Sequence, residues 1–260
     1  MLNDVKEIVK EKYTEVVTKG SGCCGPSCCT PEEIINVGEN YDGIEGYEAD
    51  ADLGLGCGIP TEFAKIKEGD TVLDLGAGAG NDVFVARRIV GENGHVIGVD
   101  MTEAMIKKAN ENKHKLGYEN VEFILGDIEK LPVADNSIDV AVSNCVMNLV
   151  PNKPLAYAEV YRSLKPGAHF SISDIVLNGK LPEGIINAAE MYAGCVSGAL
   201  EKSEYLRVIK EAGFKNIEVA KERQIVLPDE LLLEHIRPEE LSVYKKRNGV
   251  ILSITVYAEK

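Results

Sequence analysis

The chain has 260 residues, of which 45% are hydrophobic and 27% charged, the composition of one large globular domain or one domain with an appendage. A formal net charge of −14 argues against nucleic acid and membrane lipid as partners, because such a surface repels phosphates; it serves solubility equally well. No apolar run is long enough to span a bilayer, and the opening MLNDVKEIVKEKY lacks the continuous apolar core of a signal peptide, so a cytoplasmic location is expected. That compartment keeps thiols reduced, which directs the seven cysteines towards metal binding or catalysis rather than structural disulfides.

Residues 5–17 carry Val5, Ile8, Val9, Tyr13, Val16 and Val17 near helical spacing and predict an amphipathic helix. The stretch SGCCGPSCCT follows and places Cys23, Cys24, Cys28 and Cys29 close together. Thr30 is positioned to cap a short turn opening at Pro31, Glu32 and Glu33. Residues 38–58 are rich in Gly, Asp and Glu without periodicity and read as a long loop, of the kind that often carries function.

A regular alternation begins at Asp70. TVLDLG, HVIGVD, VEFILGD, SIDVAVSN and HFSISD read as strands over 71–76, 95–100, 121–127, 137–144 and 169–174. Residues 81–90, 102–116 and 154–164 read as the intervening helices, the second capped by Thr102 and the third stopped by Lys165, Pro166 and Gly167. Such alternation implies a parallel sheet with right-handed crossovers. Residues 201–212 read as a helix closed by Gly213, and 215–226 and 250–259 as strands. No helix follows the last strand, so it is expected to insert antiparallel.

Between the first strand and its helix stands Asp74-Leu-Gly76-Ala77-Gly78-Ala-Gly80. Glycines there permit tight turning and close approach of backbone to a ligand. The spacing is not the G-x-G-x-x-G of diphosphate binding, and Asp74 suits a cationic amino-acid moiety better than a pyrophosphate. Asp100 ends the second strand, where an acid can bind ribose hydroxyls, and Asp127 ends the third, where it can accept from an adenine amino group.

Together these residues resemble the S-adenosylmethionine-dependent methyltransferases of the seven-stranded class, over roughly residues 70–260. The resemblance implies an α/β, Rossmann-like class I sheet with an antiparallel last strand and S-adenosylmethionine as cofactor. Asp74, Gly76, Ala77 and Gly78 match the methionine-binding loop, and Asp100 the ribose acid. Met101 is placed to pack on the adenine, Asp127 and Ile128 to border it, and Asn144 to stand where the methyl group is presented. Residues 1–60 are then an N-terminal helix, cysteine-rich loop and cap segment, and 61–260 the methyltransferase domain.

The acceptor is the remaining question. Hydroxyl and amine acceptors usually require a general base. His95 and His169 open strands at the end of the sheet away from the ligand, His114 lies late in a helix, and His235 sits in a charged segment, so all four are expected to be non-catalytic. The N-P-P-[YF] motif of DNA methylation is absent after the fourth strand. Cys145 stands there instead, at the mouth where ligands bind in such folds, with Cys57 and Cys195 on other loops. A single cysteine is as readily a small buried hydrophobe, but convergent thiolates bind soft ions.

SNCVMNLVP, GLGCG and GCVSGAL resemble the arsenite methyltransferases. In that family trivalent arsenic is held by thiolates beside the methyl donor and its lone pair is the nucleophile, so no base is needed. Cys145 and Cys195 match the family's two arsenic-binding cysteines, Cys57 a third that takes part in relay and redox steps, and Cys24 or Cys23 a fourth. The resemblance implies arsenite or its thiol conjugates as substrate, a thiol reductant such as thioredoxin or glutathione, and a monomer or weak dimer. Residues 177–200 are expected to cover the substrate. The loop bearing Cys28 and Cys29 can capture the metalloid, hold a structural zinc ion, or lack a role. A methyltransferase for another thiol, selenium or small organic acceptor, or a non-catalytic metalloid-binding protein, remain alternative readings.

Overall fold

A computed structural model describes residues 2–19, 39–179, 198–225, 229, 233, 236–246 and 251–260. The helix α1 spans Leu2–Lys19, longer than predicted at both ends, and a four-residue helix α2 spans Pro60–Phe63. The alternating core then runs β1 (Thr71–Leu75), α3 (Asn81–Val90), β2 (His95–Asp100), α4 (Glu103–Leu116), β3 (Val121–Leu125) and β4 (Ile138–Asn144). It continues through α5 (Lys153–Ser163), β5 (Leu164–Leu177), α6 (Lys202–Glu211), β6 (Lys215–Gln224), α7 (Pro238–Lys245) and β7 (Ile251–Glu259).

The seven strands form one sheet in the order β3-β2-β1-β4-β5-β7-β6. β1 to β5 pair in parallel, and β7 inserts antiparallel between β5 and β6, as its lack of a following helix predicted. Alternate side chains of each strand face opposite layers. Val72, Val96 and Val140 pack against Val83, Phe84 and Ala86 of α3 and Ala109 of α4. Leu73, Phe170 and Ile254 pack on the other face against Tyr157 and Val160 of α5 and Tyr205 and Ile209 of α6. A further apolar cluster joins Val9 of α1, Cys57, Cys145, Ile175, Leu177, Leu241 and Ile251.

Several boundaries differ from the predicted ones for physical reasons. β5 is 14 residues long and begins at Leu164, so Lys165, Pro166 and Gly167 lie within its opening instead of in a separate loop. Pro166 stops α5 without needing a linker, and the strand irregularity falls where β4 and β5 shift register between Ile138 and Val140. β3 ends at Leu125, two residues short, because Gly126 donates to Asp100 O and Asp127 turns back in a bridge to Lys130. Thr102 caps α4 by backbone position alone, and its amide donates instead to Asp100 Oδ1 at 2.8 Å. No helix among the described residues is long and apolar enough to cross a membrane.

Candidate active site

The site lies at the C-terminal ends of β1, β2 and β4. A cavity of about 370 Å³ opens there, and every residue the sequence proposed for the cofactor lines it: Asp74, Gly76, Ala77, Gly78, Asp100, Met101, Asp127, Ile128 and Asn144. The chain leaves β1 at Gly76, with φ +74, and its amide and that of Ala77 both donate to Val99 O, at 2.7 and 3.0 Å. A Cβ on Gly76 would lie 2.5 Å from Val146 Cγ2, so the turn and the segment after β4 can approach this closely only with glycine. Asp100 braces the loop from β2, accepting the Gly78 amide on Oδ2 at 3.0 Å.

Three carboxylates are concentrated in this cleft. Burial, then the charges of Asp82 and Asp100, push Asp74 well above the usual carboxylate range. Burial likewise raises Asp82 to about 6, against the hydrogen bonds from Tyr41 and Asn144 that favour its ionised form. Asp100 is also raised by burial, offset by the amides of Thr102 and Gly78. Asn81 Oδ1, at the start of α3, is buried without a partner among the described residues. Buried carboxylates crowded around this cavity fit a cationic ligand that also carries hydrogen-bond donors, which is the chemistry of a sulfonium amino acid bearing ribose and adenine.

Asp127 is not open to the cavity alone. Lys6 of α1 donates to Asp127 Oδ2 and Glu129 Oε2, each at 2.6 Å, and Lys6, Val9 and Tyr13 form one wall of the cleft. The Lys6 pairing holds the Asp127 carboxyl below its ordinary range despite partial burial.

The thiols converge beyond the cleft. The sulfurs of Cys57 and Cys145 and a carboxylate oxygen of Asp174 all lie within 4.8 Å of one another, and all three residues are buried. Cys145 follows β4 in the left-handed conformation, φ +60, with its amide donating to Ser173 O at 2.8 Å. This residue also lines the cavity, so the thiol pair meets the cleft through Cys145, with Cys57 fully buried behind it. Cys57 is held at both backbone atoms. Its amide donates to Asn144 Oδ1 at 2.9 Å, and its carbonyl accepts from Ser253 of β7 at 2.7 Å. Asn144 Nδ2 donates to Gly58 O at 2.8 Å and faces Asp82 Oδ2 at 3.1 Å. Two of the three glycines of GLGCG have a steric reason: a Cβ at Gly56 would lie 2.6 Å from Asn144 Nδ2, and one at Gly58 2.7 Å from Ser173 Oγ.

Of the sequence candidates, Cys57 and Cys145 are thus adjacent. Cys195 and the leader cysteines Cys23, Cys24, Cys28 and Cys29 lie outside the described residues, as do most of the expected cover at 177–200 and His235. His95, His114 and His169 are absent from the cavity wall; His169 Nε2 lies 2.6 Å from Ala64 O at the opposite end of the sheet. Sequence reading missed Tyr41, Asp82, Lys6 and Asp174. Asp174 was visible only as the polar end of an apolar strand; it is fully buried, and burial raises it to about 7.

Comparison with known proteins agrees with this geometry. A family model described as a methyltransferase domain matches residues 66–213. An arsenite methyltransferase of Halobacterium salinarum is 44% identical over 84% of this chain and 59% of its own length. The arsenite methyltransferase of Mus musculus is 38% identical over 82% of this chain and 58% of its length, so the chain spans about three fifths of these curated relatives. The crystal structure of an arsenic(III) S-adenosylmethionine methyltransferase of Chlamydomonas reinhardtii superposes with a TM-score of 0.66 at 32% identity, covering 88% of this chain and 74% of that one. With its class I sheet and this likeness over most of its length, the chain belongs to the methyltransferase-domain family and, within it, to the arsenite methyltransferases.

Proposed function

We propose that this protein transfers a methyl group from S-adenosylmethionine to trivalent arsenic held by cysteine thiolates, giving methylated arsenicals. The observation that carries the reading is the pairing of Cys57 and Cys145 within 4.8 Å on the border of a cleft lined by buried carboxylates. S-adenosylmethionine, when bound, supplies an electrophilic methyl carbon on a sulfonium.

The residues divide the work. Asp74 and Asp82 supply the negative field for the cationic donor in a site of low dielectric. Asp100 keeps lone pairs for ribose hydroxyls after accepting the Gly78 and Thr102 amides. Met101 and Ile128 border the adenine, and Asp127 is freed for its amino group when Lys6 yields. Cys145 and Cys57 bind the arsenic and orient its lone pair, with Cys195 as the third thiolate. Soft sulfur ligands leave that lone pair available, so no histidine is required. The leader cysteines Cys23, Cys24, Cys28 and Cys29 deliver the metalloid or return electrons to the oxidised product through a disulfide with Cys57, which an external thiol such as thioredoxin or glutathione resets. Residues 177–200 cover the substrate. Such chemistry belongs in the reducing cytoplasm.

Incubation with methyl-labelled donor, arsenite and a thiol tests this reading. Labelled arsenical product supports it. Arsenite binding without product at any thiol concentration would make the protein a metalloid-binding scaffold instead.

A further inference from the structure

We propose that Cys57, Cys145 and Asp174 form a binding site for a borderline or soft divalent cation of the Zn²⁺ class. The three ligand atoms lie within 4.8 Å of one another, and they come from three separate segments: the loop before α2, the turn after β4, and β5. Neighbouring ligands around a tetrahedral Zn²⁺, with metal–sulfur bonds of about 2.3 Å and metal–oxygen bonds of about 2.0–2.2 Å, are separated by distances within that range.

Each ligand is already held by an outer partner. Asn144 and Ser253 fix the Cys57 backbone, and the Ser173 carbonyl fixes the Cys145 amide. Asp174 accepts from the Ile175 amide at 3.0 Å, from Tyr205 Oη at 3.3 Å and from the Asn148 amide, which together fix the orientation of its carboxylate. Hydrogen-bonded carboxylate ligands of this kind are the rule in protein metal sites.

The carboxylate is what distinguishes this site from one built for arsenic alone. Trivalent arsenic is satisfied by thiolates and gains little from an aspartate, whereas Zn²⁺ and Cd²⁺ accept sulfur and oxygen together. Metal binding releases the two thiol protons, and the dication then offsets two of the three negative charges gathered on the sulfurs and the carboxylate. Lys153 is the cation whose charge Asp174 senses, and its ammonium donates to the carbonyls of Asn148 and Val150, at 3.0 and 3.1 Å. Cys145 opens on the cleft, which supplies both an entry path and room for a fourth ligand such as water. The cation and arsenic share two sulfurs, so each excludes the other; that competition rests on the proposed function, while metal binding itself does not.

The test is a Cd²⁺ titration of the reduced, chelator-treated full-length protein carrying C23S, C24S, C28S and C29S, followed by the ultraviolet charge-transfer band of cadmium thiolate. One equivalent is expected to saturate the band. Cys57→Ser is expected to diminish it, and Asp174→Asn to weaken affinity by at least about tenfold. No saturable band near one equivalent, or unchanged affinity in both variants, would overturn the proposal. Circular dichroism reports whether the buried Asp174→Asn variant folds; where it does not, the titration is repeated with C195S added, where a saturable band that still depends on Cys57 supports the site and loss of the band overturns it. Arsenite added to the cadmium form should abolish the band. Failure of arsenite to displace a metal that does require Asp174 counts against the proposed function and leaves the metal site standing.

Discussion

Asn144 Oδ1 accepts the backbone amide of Cys57 at 2.9 Å across 87 residues of sequence. The same side chain donates to the Gly58 carbonyl and faces Asp82, so one amide group joins the carboxylate cleft to the loop that carries Cys57. Asn144 was expected to touch the cofactor; the geometry gives it a holding role towards Cys57. Asn144→Ala leaves the buried Cys57 amide without its acceptor and should cost about 1–3 kcal/mol of stability. Denaturant unfolding measures this, and arsenite methylation should fall with it. An unchanged unfolding midpoint with full activity would show that the Cys57 loop holds itself.

Gly56→Ala separates crowding from backbone strain. The added Cβ would meet Asn144 Nδ2 at 2.6 Å, whereas Gly54 has open space around it. Gly56→Ala should therefore depress arsenite turnover by displacing Asn144 and the Cys57 loop it holds. Gly54→Ala, at φ +66, should cost roughly 1 kcal/mol of stability through its backbone alone and spare turnover. Equal turnover in both variants would remove the steric argument for the GLGCG pattern.

Donor affinity should depend on pH through Asp82. Burial raises its pKa to about 6, and the groups that face it are Tyr41, Asn144, Asp52 and Asp74. A cationic ligand favours the ionised carboxylate and lowers that pKa, so binding releases a proton below about pH 6. Affinity should then rise as pH increases through about 6. The same raised pKa makes the carboxylate stabilise the fold least above pH 6, where it is charged and buried. Calorimetry with S-adenosylmethionine from pH 5 to 8 measures the profile, and Asp82→Asn should flatten it. A wild-type profile that falls with pH would contradict the assignment.

In the proposed mode of donor binding, Lys6 competes with the adenine for Asp127. Its ammonium sits 2.6 Å from both Asp127 and Glu129, on side chains that keep part of their exposure. Such partly exposed pairs are worth up to about 1 kcal/mol. Lys6→Ala should thus speed donor association by no more than about fivefold and change stability little. Stopped-flow binding checks this, and slower association in the variant would mean that Lys6 contacts the donor favourably.

The sheet was legible because its strands are nearly continuous apolar runs bounded by Gly and Asp, and because the last strand has no crossover helix after it. The cavity wall was legible for the same reason: Asp74, Asp100 and Asp127 each stand at a strand's C-terminal end, where the fold places its ligands. What sequence could not supply were relations set by tertiary register. Asp174 meets Cys145 because Asn144 pairs with Ser173 between β4 and β5, a register that no local pattern encodes. Lys6 reaches Asp127 across 121 residues, from a helix whose period reveals its apolar face but not its neighbour. The helix α2 is too short to show a period, although Pro60 followed by Thr61 and Glu62 carries a helix-start signature. The start of α7 at Pro238 with Glu239 and Glu240 carries the same signal and was passed over.

Arsenic K-edge X-ray absorption of the arsenite complex, in the protein with the four leader cysteines replaced by serine, tests the central claim most directly. The account predicts a sulfur shell around arsenic that loses sulfur in Cys57→Ser and in Cys145→Ser. An oxygen-only shell, or a sulfur shell unaltered by both substitutions, would contradict it.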